Sequence, residues 1–94
     1  MSGDTTKTKT VTIKNRLGLH ARAAAQLVNV ANNFASDITL SKDGYEVNGK
    51  SILGVLSLAA IKGTTIQIDA SGADAEQVLN EIEELVESGF GEKV

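Results

Sequence analysis

Four short segments of this chain alternate apolar and polar side chains with a period of two, and each has only one apolar face. In the first, Lys9, Val11 and Ile13 share one face, and Thr10 and Thr12 lie on the other. Alternation of β-branched residues predicts half-buried strands. A sheet that is apolar on one side needs a single covering layer of helices. The chain is therefore predicted to form two layers, with solvent on the free face of the sheet.

Three segments with apolar residues at three- and four-residue spacing predict helices over 21–35, 52–60 and 74–88. Asp43-Gly44 predicts a hairpin between the second and third strands, and the third strand is short and polar enough for a sheet edge. The order is β-α-β-β-α-β-α. The predicted fold class is α+β: a two-layer, open-faced β-sandwich with a four-stranded antiparallel sheet and three helices on one face.

Length and apolar content indicate one domain. The 94 residues are 41% hydrophobic, enough for a single small core. Residues 1–7 are polar and lack a periodic pattern, which predicts a flexible N-terminal arm before a domain over 8–94. No apolar run approaches the roughly 20 residues of a membrane span, and a signal-peptide core is absent. We expect no membrane insertion, a cytoplasmic location and a monomer.

Composition disfavours several classes of function. A formal net charge of −3, with one tyrosine, two phenylalanines and no tryptophan, argues against nucleic-acid binding. Without cysteine, and with a single histidine, the chain has no thiolate or histidine-rich metal site. We therefore expect no metal and no cofactor.

That single histidine lies in Gly18-Leu19-His20-Ala21-Arg22, where a loop leads into the first predicted helix. A helix start presents unpaired N–H groups and a partial positive charge, which favour an anion. Arg22 adds guanidinium donors, and the flexible backbone of Gly18 allows a close approach. A lone histidine is most often a surface or partly buried residue without chemistry. Here its neighbours favour a phosphoryl group carried on His20.

Two segments resemble the HPr family, the histidine-containing phosphocarriers of the phosphoenolpyruvate-dependent phosphotransferase system. Gly18 to Arg22 is similar to the family's active-site segment, and Lys50-Ser51-Ile52-Leu53-Gly54-Val55-Leu56-Ser57-Leu58 resembles its regulatory serine segment. The resemblance implies that His20 takes phosphoryl from enzyme I and passes it to a IIA domain, as a carrier rather than an enzyme. It also implies attachment at Nδ1, with N–H groups of Ala21 and Arg22 around the phosphate and the Arg22 side chain assisting.

Ser51 has two interpretations. It is well placed as the N-cap of the second helix, which Lys62-Gly63 is predicted to end. The resemblance instead implies phosphorylation by an HPr kinase/phosphorylase. A phosphate is tolerated at a helix N-terminus but would repel an acidic partner.

The same resemblance implies an apolar docking patch around His20, although some of its members are equally good core candidates. The patch comprises Ala21, Ala24, Ala25, Ile52, Leu53 and Leu56. Arg22 and Lys50 at its rim favour a partner with acidic residues.

Two residues depart from the sugar-transport pattern. Ala23 stands where those carriers usually have proline, and Leu17 where they tend to have a small polar residue. Both resemble NPr, the carrier of the regulatory nitrogen branch, whereas the Ser51 segment favours the sugar branch. Both branches remain open, as does a regulatory docking module that relays no phosphate. A nucleic-acid-binding domain is disfavoured.

Overall fold

The computed structural model describes residues 5–92, in which four strands form one antiparallel sheet. The strands are Thr6–Thr12 (β1), Asp37–Lys42 (β2), Tyr45–Asn48 (β3) and Thr65–Ser71 (β4). The helices are Ala21–Asn32 (α1), Ile52–Ser57 (α2) and Ala75–Glu87 (α3), and a 3-10 turn at Gly89–Gly91 follows. The predicted α+β class, with its open-faced sheet and β-α-β-β-α-β-α order, is confirmed.

The core lies between the sheet and the helices. The strand order is β1-β4-β2-β3, so β4 is internal, and its residues Ile66, Ile68 and Ala70 are almost fully buried. The helices cover this face with alanine and branched aliphatic residues from α1 and α3, and with Val55 from α2. Burial of apolar area, at about 25 cal/mol per Å², is the main stabilising contribution in such a fold. No helix within residues 5–92 is long and apolar enough to cross a bilayer.

The opposite face of the sheet is polar. Thr8 Oγ1 donates to Asp69 Oδ1 across β1 and β4 at 2.7 Å, and Thr6 Oγ1 lies 2.6 Å from Ser71 Oγ. Because Thr6 pairs with Ser71 in the β1–β4 register, β1 begins inside the predicted N-terminal arm. The rest of that arm, apart from Thr5, lies outside the described residues.

The predicted hairpin joins β2 to β3. Asp43 and Gly44 both have positive φ angles, 52° and 84°, as a type I′ turn requires. β3 pairs only with β2 among the described strands, so its predicted edge position is confirmed.

Helix α1 ends at Asn32, earlier than the predicted end at Ala35, because tertiary contacts replace its last helical hydrogen bonds. The backbone N–H groups of Ala35 and Ser36 donate to the Asp74 carboxylate, each at 2.9 Å. The carbonyl oxygen of Phe34 accepts from Lys50 Nζ at 2.8 Å.

Helix α2 is also shorter than predicted and ends at Ser57 instead of Ala60. Ala59 has a left-handed φ of 50°, which no helix interior accommodates. Lys62-Gly63 therefore does not end this helix. It belongs to the turn before β4, where the Gly63 N–H donates to the Ile13 carbonyl oxygen at 2.8 Å.

Asp74 connects the start of α3 to the loop that follows α1. Besides the two backbone N–H groups, its carboxylate accepts a hydrogen bond from the Ser36 hydroxyl. The Ser36 hydroxyl, followed by the Ala35 N–H, lowers the pKa of Asp74 below its usual value of 3.8. The folded state thus favours the ionised carboxylate.

Replacing Asp74 with asparagine is expected to lower the melting temperature at neutral pH by several degrees, because Asn has one acceptor oxygen instead of two. A lowered native pKa stabilises the fold above the unfolded pKa, and this contribution disappears as pH falls through the native pKa. The difference between wild type and Asp74→Asn should therefore shrink below about pH 3.8. Thermal melts over a pH series test this, with the exposed Asp37→Asn as control. Equal melting temperatures at pH 7 would contradict it.

Candidate functional site

His20 is the N-cap of α1, and its side chain accepts a hydrogen bond from one of the backbone N–H groups that have no partner within the helix. Its backbone is extended, and Nδ1 accepts from the Arg22 N–H at 3.3 Å. The His20 carbonyl oxygen accepts the first regular helical bond, from the Ala24 N–H at 2.8 Å. Because Nδ1 is an acceptor, a neutral ring must carry its hydrogen on Nε2. The imidazole therefore directs a lone pair toward the start of the helix.

The loop before His20 is held against the segment after α2. The Leu19 N–H donates to the Ala60 carbonyl oxygen at 2.9 Å, and Gly18 has a φ of +69°. A Cβ on Gly18 would lie only 2.4 Å from that same oxygen. Only glycine combines this backbone angle with this close approach.

A surface depression surrounds the imidazole. It is lined by Arg16, Leu17, His20, Ala21, Arg22, Gly91 and Glu92. The His20 side chain is 29% exposed, so an incoming group can reach it, and Arg22 is exposed beside it. The structure thus brings together the predicted histidine, the predicted arginine and the N–H groups at the helix start.

Glu92 also belongs to this site, and the sequence did not indicate it. Its Oε2 contacts His20 Nε2, and its Oε1 accepts from Asn15 Nδ2 at 3.1 Å. The hydrogen bond from His20, followed by that from Asn15, lowers the pKa of Glu92 below its usual value of 4.5, and the charge of Arg22 acts in the same direction. Glu92 lies 72 residues from His20 in the chain, so no local sequence pattern indicates that the two side chains meet.

Most of the predicted docking patch lies at the surface beside α1 and α2. Leu53 is 77% exposed, Ile52 is 40% exposed and Ala21 is exposed. Ala25 and Leu56 are half-buried, and Leu56 packs against the core. Ala24 is fully buried in the core cluster, so its placement in a docking patch is wrong.

Ser51 is the N-cap of α2, as predicted, and its Oγ accepts from the Gly54 N–H at 3.1 Å. It lies at the end of α1 that is remote from His20. Asn32 Nδ2, in the last turn of α1, donates to the Lys50 carbonyl oxygen at 3.5 Å, whereas Ala60, beyond α2, contacts the loop before His20. With about 1.5 Å of rise per residue, α1 separates the two sites by about 18 Å.

Comparison with known proteins adds an independent line of evidence. A family model described as "PTS HPr component phosphorylation site" matches residues 7–88. Phosphocarrier protein HPr of Xylella fastidiosa is 48% identical over 82 residues, covering 87% of this chain and 92% of that protein. Phosphocarrier protein NPr of Proteus mirabilis is 42% identical over 88 residues, covering 93% and 98%. A crystal structure of HPr from Thermoanaerobacter tengcongensis superimposes with a TM-score of 0.90 at 43% identity, covering 94% and 99%.

Gly18→Ala is expected to disturb the loop that presents His20. Gly44 also has a positive φ, but a Cβ there would meet nothing within 4 Å, so Gly44→Ala is a matched control. Overpacking against Ala60 should make Gly18→Ala about 1–3 kcal/mol more destabilising than Gly44→Ala. Urea denaturation of the two variants measures this difference. Equal free energies of unfolding would contradict the contact.

Proposed function

Since the chain belongs to the HPr family of phosphotransferase-system phosphocarriers, we propose that His20 accepts a phosphoryl group from phospho-enzyme I and donates it to IIA domains of the sugar branch. The main support is the His20 Nδ1 lone pair at the N-terminus of α1, with Arg22 in the same depression. The proposal includes a cytoplasmic location and a monomer whose one site meets two partners in turn.

The proposed transfer needs no activating base. The Nδ1 lone pair forms a bond to phosphorus while the bond between phosphorus and the donor atom breaks, and the bonding electrons stay with the donor. In the unmodified protein the Arg22 N–H donates to Nδ1; after the transfer it donates to a phosphate oxygen instead. The Ala21 N–H and the Arg22 guanidinium supply further donors, so the charge that builds up on the equatorial oxygens meets groups already in place.

Docking uses the exposed apolar surface between α1 and α2. Its members are Ala21, Ala25, Ile52, Leu53 and Leu56. Arg16 and Arg22 outnumber Glu92 in the depression around His20, so this part of an acidic chain is locally basic. Such a surface favours a partner with an apolar centre and an acidic rim, and long-range attraction speeds their encounter.

We propose Ser51 as a regulatory site for an HPr kinase/phosphorylase. Its hydroxyl caps α2 next to Ile52 and Leu53, within the docking surface and away from His20. A phosphate there adds about 1.5 to 2 negative charges, which repel an acidic partner without blocking the imidazole. Regulation would therefore act on partner binding rather than on the chemistry of the histidine.

A nitrogen-branch carrier is the alternative, favoured by Leu17, whose side chain is 66% exposed beside His20. The apolar side chain would contact the partner directly. Phosphoryl transfer from the loaded protein to a sugar-type or a nitrogen-type IIA domain separates the two branches. A docking module without relay is the third alternative, which a failure of His20 to take up phosphate would favour.

Incubation with enzyme I and phosphoenolpyruvate is expected to add one acid-labile phosphoryl group, visible in the intact mass. His20→Ala should take up none, whereas Ser51→Ala should still take up one phosphoryl group. Arg22→Ala should still be loaded, but about tenfold more slowly, since it lacks one charged donor to the phosphate. No mass increase with a cognate enzyme I would contradict the relay.

Ser51→Asp imitates part of the charge of a phosphoserine. It is expected to slow phosphoryl transfer from enzyme I about tenfold at low salt, because the added charge acts on association with an acidic surface. Thr10→Asp places the same charge on the open face of the sheet and should have little effect. Stopped-flow rates at two salt concentrations test this. Equal rates for the two variants would argue against regulation through Ser51.

A further inference from the structure

We infer that Glu92, held in place by Asn15, is a positioning residue for phosphoryl transfer at His20. The inference rests on the proposed function and adds a contact at the second ring nitrogen of the reacting imidazole. The helix start contacts Nδ1, whereas the Glu92 carboxylate contacts Nε2 on the opposite side of the ring. The two contacts together orient the imidazole and assign its proton.

Asn15 is buried, with 1% of its surface exposed, and its amide can adopt only one orientation. Nδ2 lies 2.7 Å from the Gly18 carbonyl oxygen and 3.1 Å from Glu92 Oε1. Since both partners are acceptors, the NH₂ group must face them. Asn15 Oδ1 is consequently buried without a hydrogen-bond partner among the described residues. A buried, unpaired acceptor is costly, and the two hydrogen bonds that Nδ2 donates to Gly18 and Glu92 offset part of this cost.

The turn that delivers Glu92 is itself strained. Gly89, Phe90 and Gly91 have consecutive φ angles of 67°, 57° and 72°. For Phe90 this left-handed conformation is unfavourable, yet its side chain is 97% removed from solvent as part of the core. The buried ring anchors the turn, which reverses the chain after α3 and places the Glu92 side chain, only 13% exposed, against His20.

The contact suits the electronic demands of the transfer. While Nδ1 forms its bond to phosphorus, the ring keeps its Nε2 proton and becomes positively charged. An ionised carboxylate on Nε2 stabilises that charge, and it keeps the proton away from the attacking nitrogen. When the phosphoryl group leaves, the ring returns to the neutral form with the same proton on Nε2. Atoms and charge balance without any proton leaving the site, and Glu92 orients the histidine as the aspartate of a catalytic triad does.

The same geometry permits an opposite role. Glu92 is negatively charged and lies in the depression that would receive the phosphoryl group, so it would slow loading if repulsion of the incoming anion dominated. The two roles predict opposite effects when the carboxylate is removed. Glu92→Ala slows loading if the residue positions His20, and speeds it if the residue blocks the site.

The test combines NMR with loading rates, using the full chain. In ¹⁵N-labelled wild type, the His20 Nε2–H proton should exchange slowly and resonate far downfield. This signal should disappear in Glu92→Ala and exchange faster in Asn15→Ala, but stay unchanged in Glu81→Gln, a control on the exposed face of α3. The loading rate with enzyme I should fall about tenfold in Glu92→Ala, as expected for loss of one charge-assisted hydrogen bond.

A persistent Nε2–H signal in Glu92→Ala, or loading at the wild-type rate or faster, would overturn the inference. Glu92→Gln keeps an acceptor oxygen but removes the charge, so it should load at an intermediate rate. If Asn15→Ala melts at a much lower temperature than the wild type, its loading rate reflects lost stability, and the Glu92 variants alone test whether the carboxylate positions His20. A wild type that takes up no phosphate on His20 would instead refute the proposed function itself, an outcome distinguishable from a defect confined to the variants.

Discussion

The site depends on one hydrogen bond, from the Arg22 N–H to Nδ1 of His20. Helices usually begin with a serine, threonine or aspartate whose oxygen caps the first turn. Here an imidazole nitrogen does so, and a nucleophilic lone pair thereby lies directly at the positive end of α1. The group that caps the helix is also the group that would react. In the proposed phosphorylated form, the same N–H groups would donate to the phosphate oxygens without a change in the backbone.

The surrounding fold holds that histidine in place from several directions. The one-sided sheet requires helices on one face only, and so α1 and α2 lie side by side with their free surfaces toward solvent. Gly18 packs against the Ala60 carbonyl oxygen, which ties the loop before His20 to the segment after α2. On the other side, the strained turn after α3 supplies Glu92. Packed segments therefore surround a partly exposed imidazole on three sides, and this arrangement suits the proposed transfer to and from two partners.

Much of this was predictable from sequence, because it depends on local periodicity. Strand alternation, helical spacing and the Asp43-Gly44 turn indicated the fold, and the order of elements followed. The early end of α1 was not predictable, since Asp74, far along the chain, takes the N–H groups of Ala35 and Ser36. The burial of Ala24 was predictable, because it lies three and four residues from Leu27 and Val28 on the apolar stripe of α1; the family resemblance alone placed it in the docking patch. Glu92 was not predicted for the same reason as the early end of α1, because its partner His20 lies in a distant segment of the chain.

The most direct test of the central claim is where the phosphorus is attached. We expect ¹⁵N–³¹P correlation spectra of the protein loaded by enzyme I to show coupling between phosphorus and Nδ1 of His20, with the Nε2 proton retained. The amide signal of Arg22 should shift as its N–H turns from Nδ1 to a phosphate oxygen. Coupling to Nε2, or phosphorus attached to any other residue, would contradict the account.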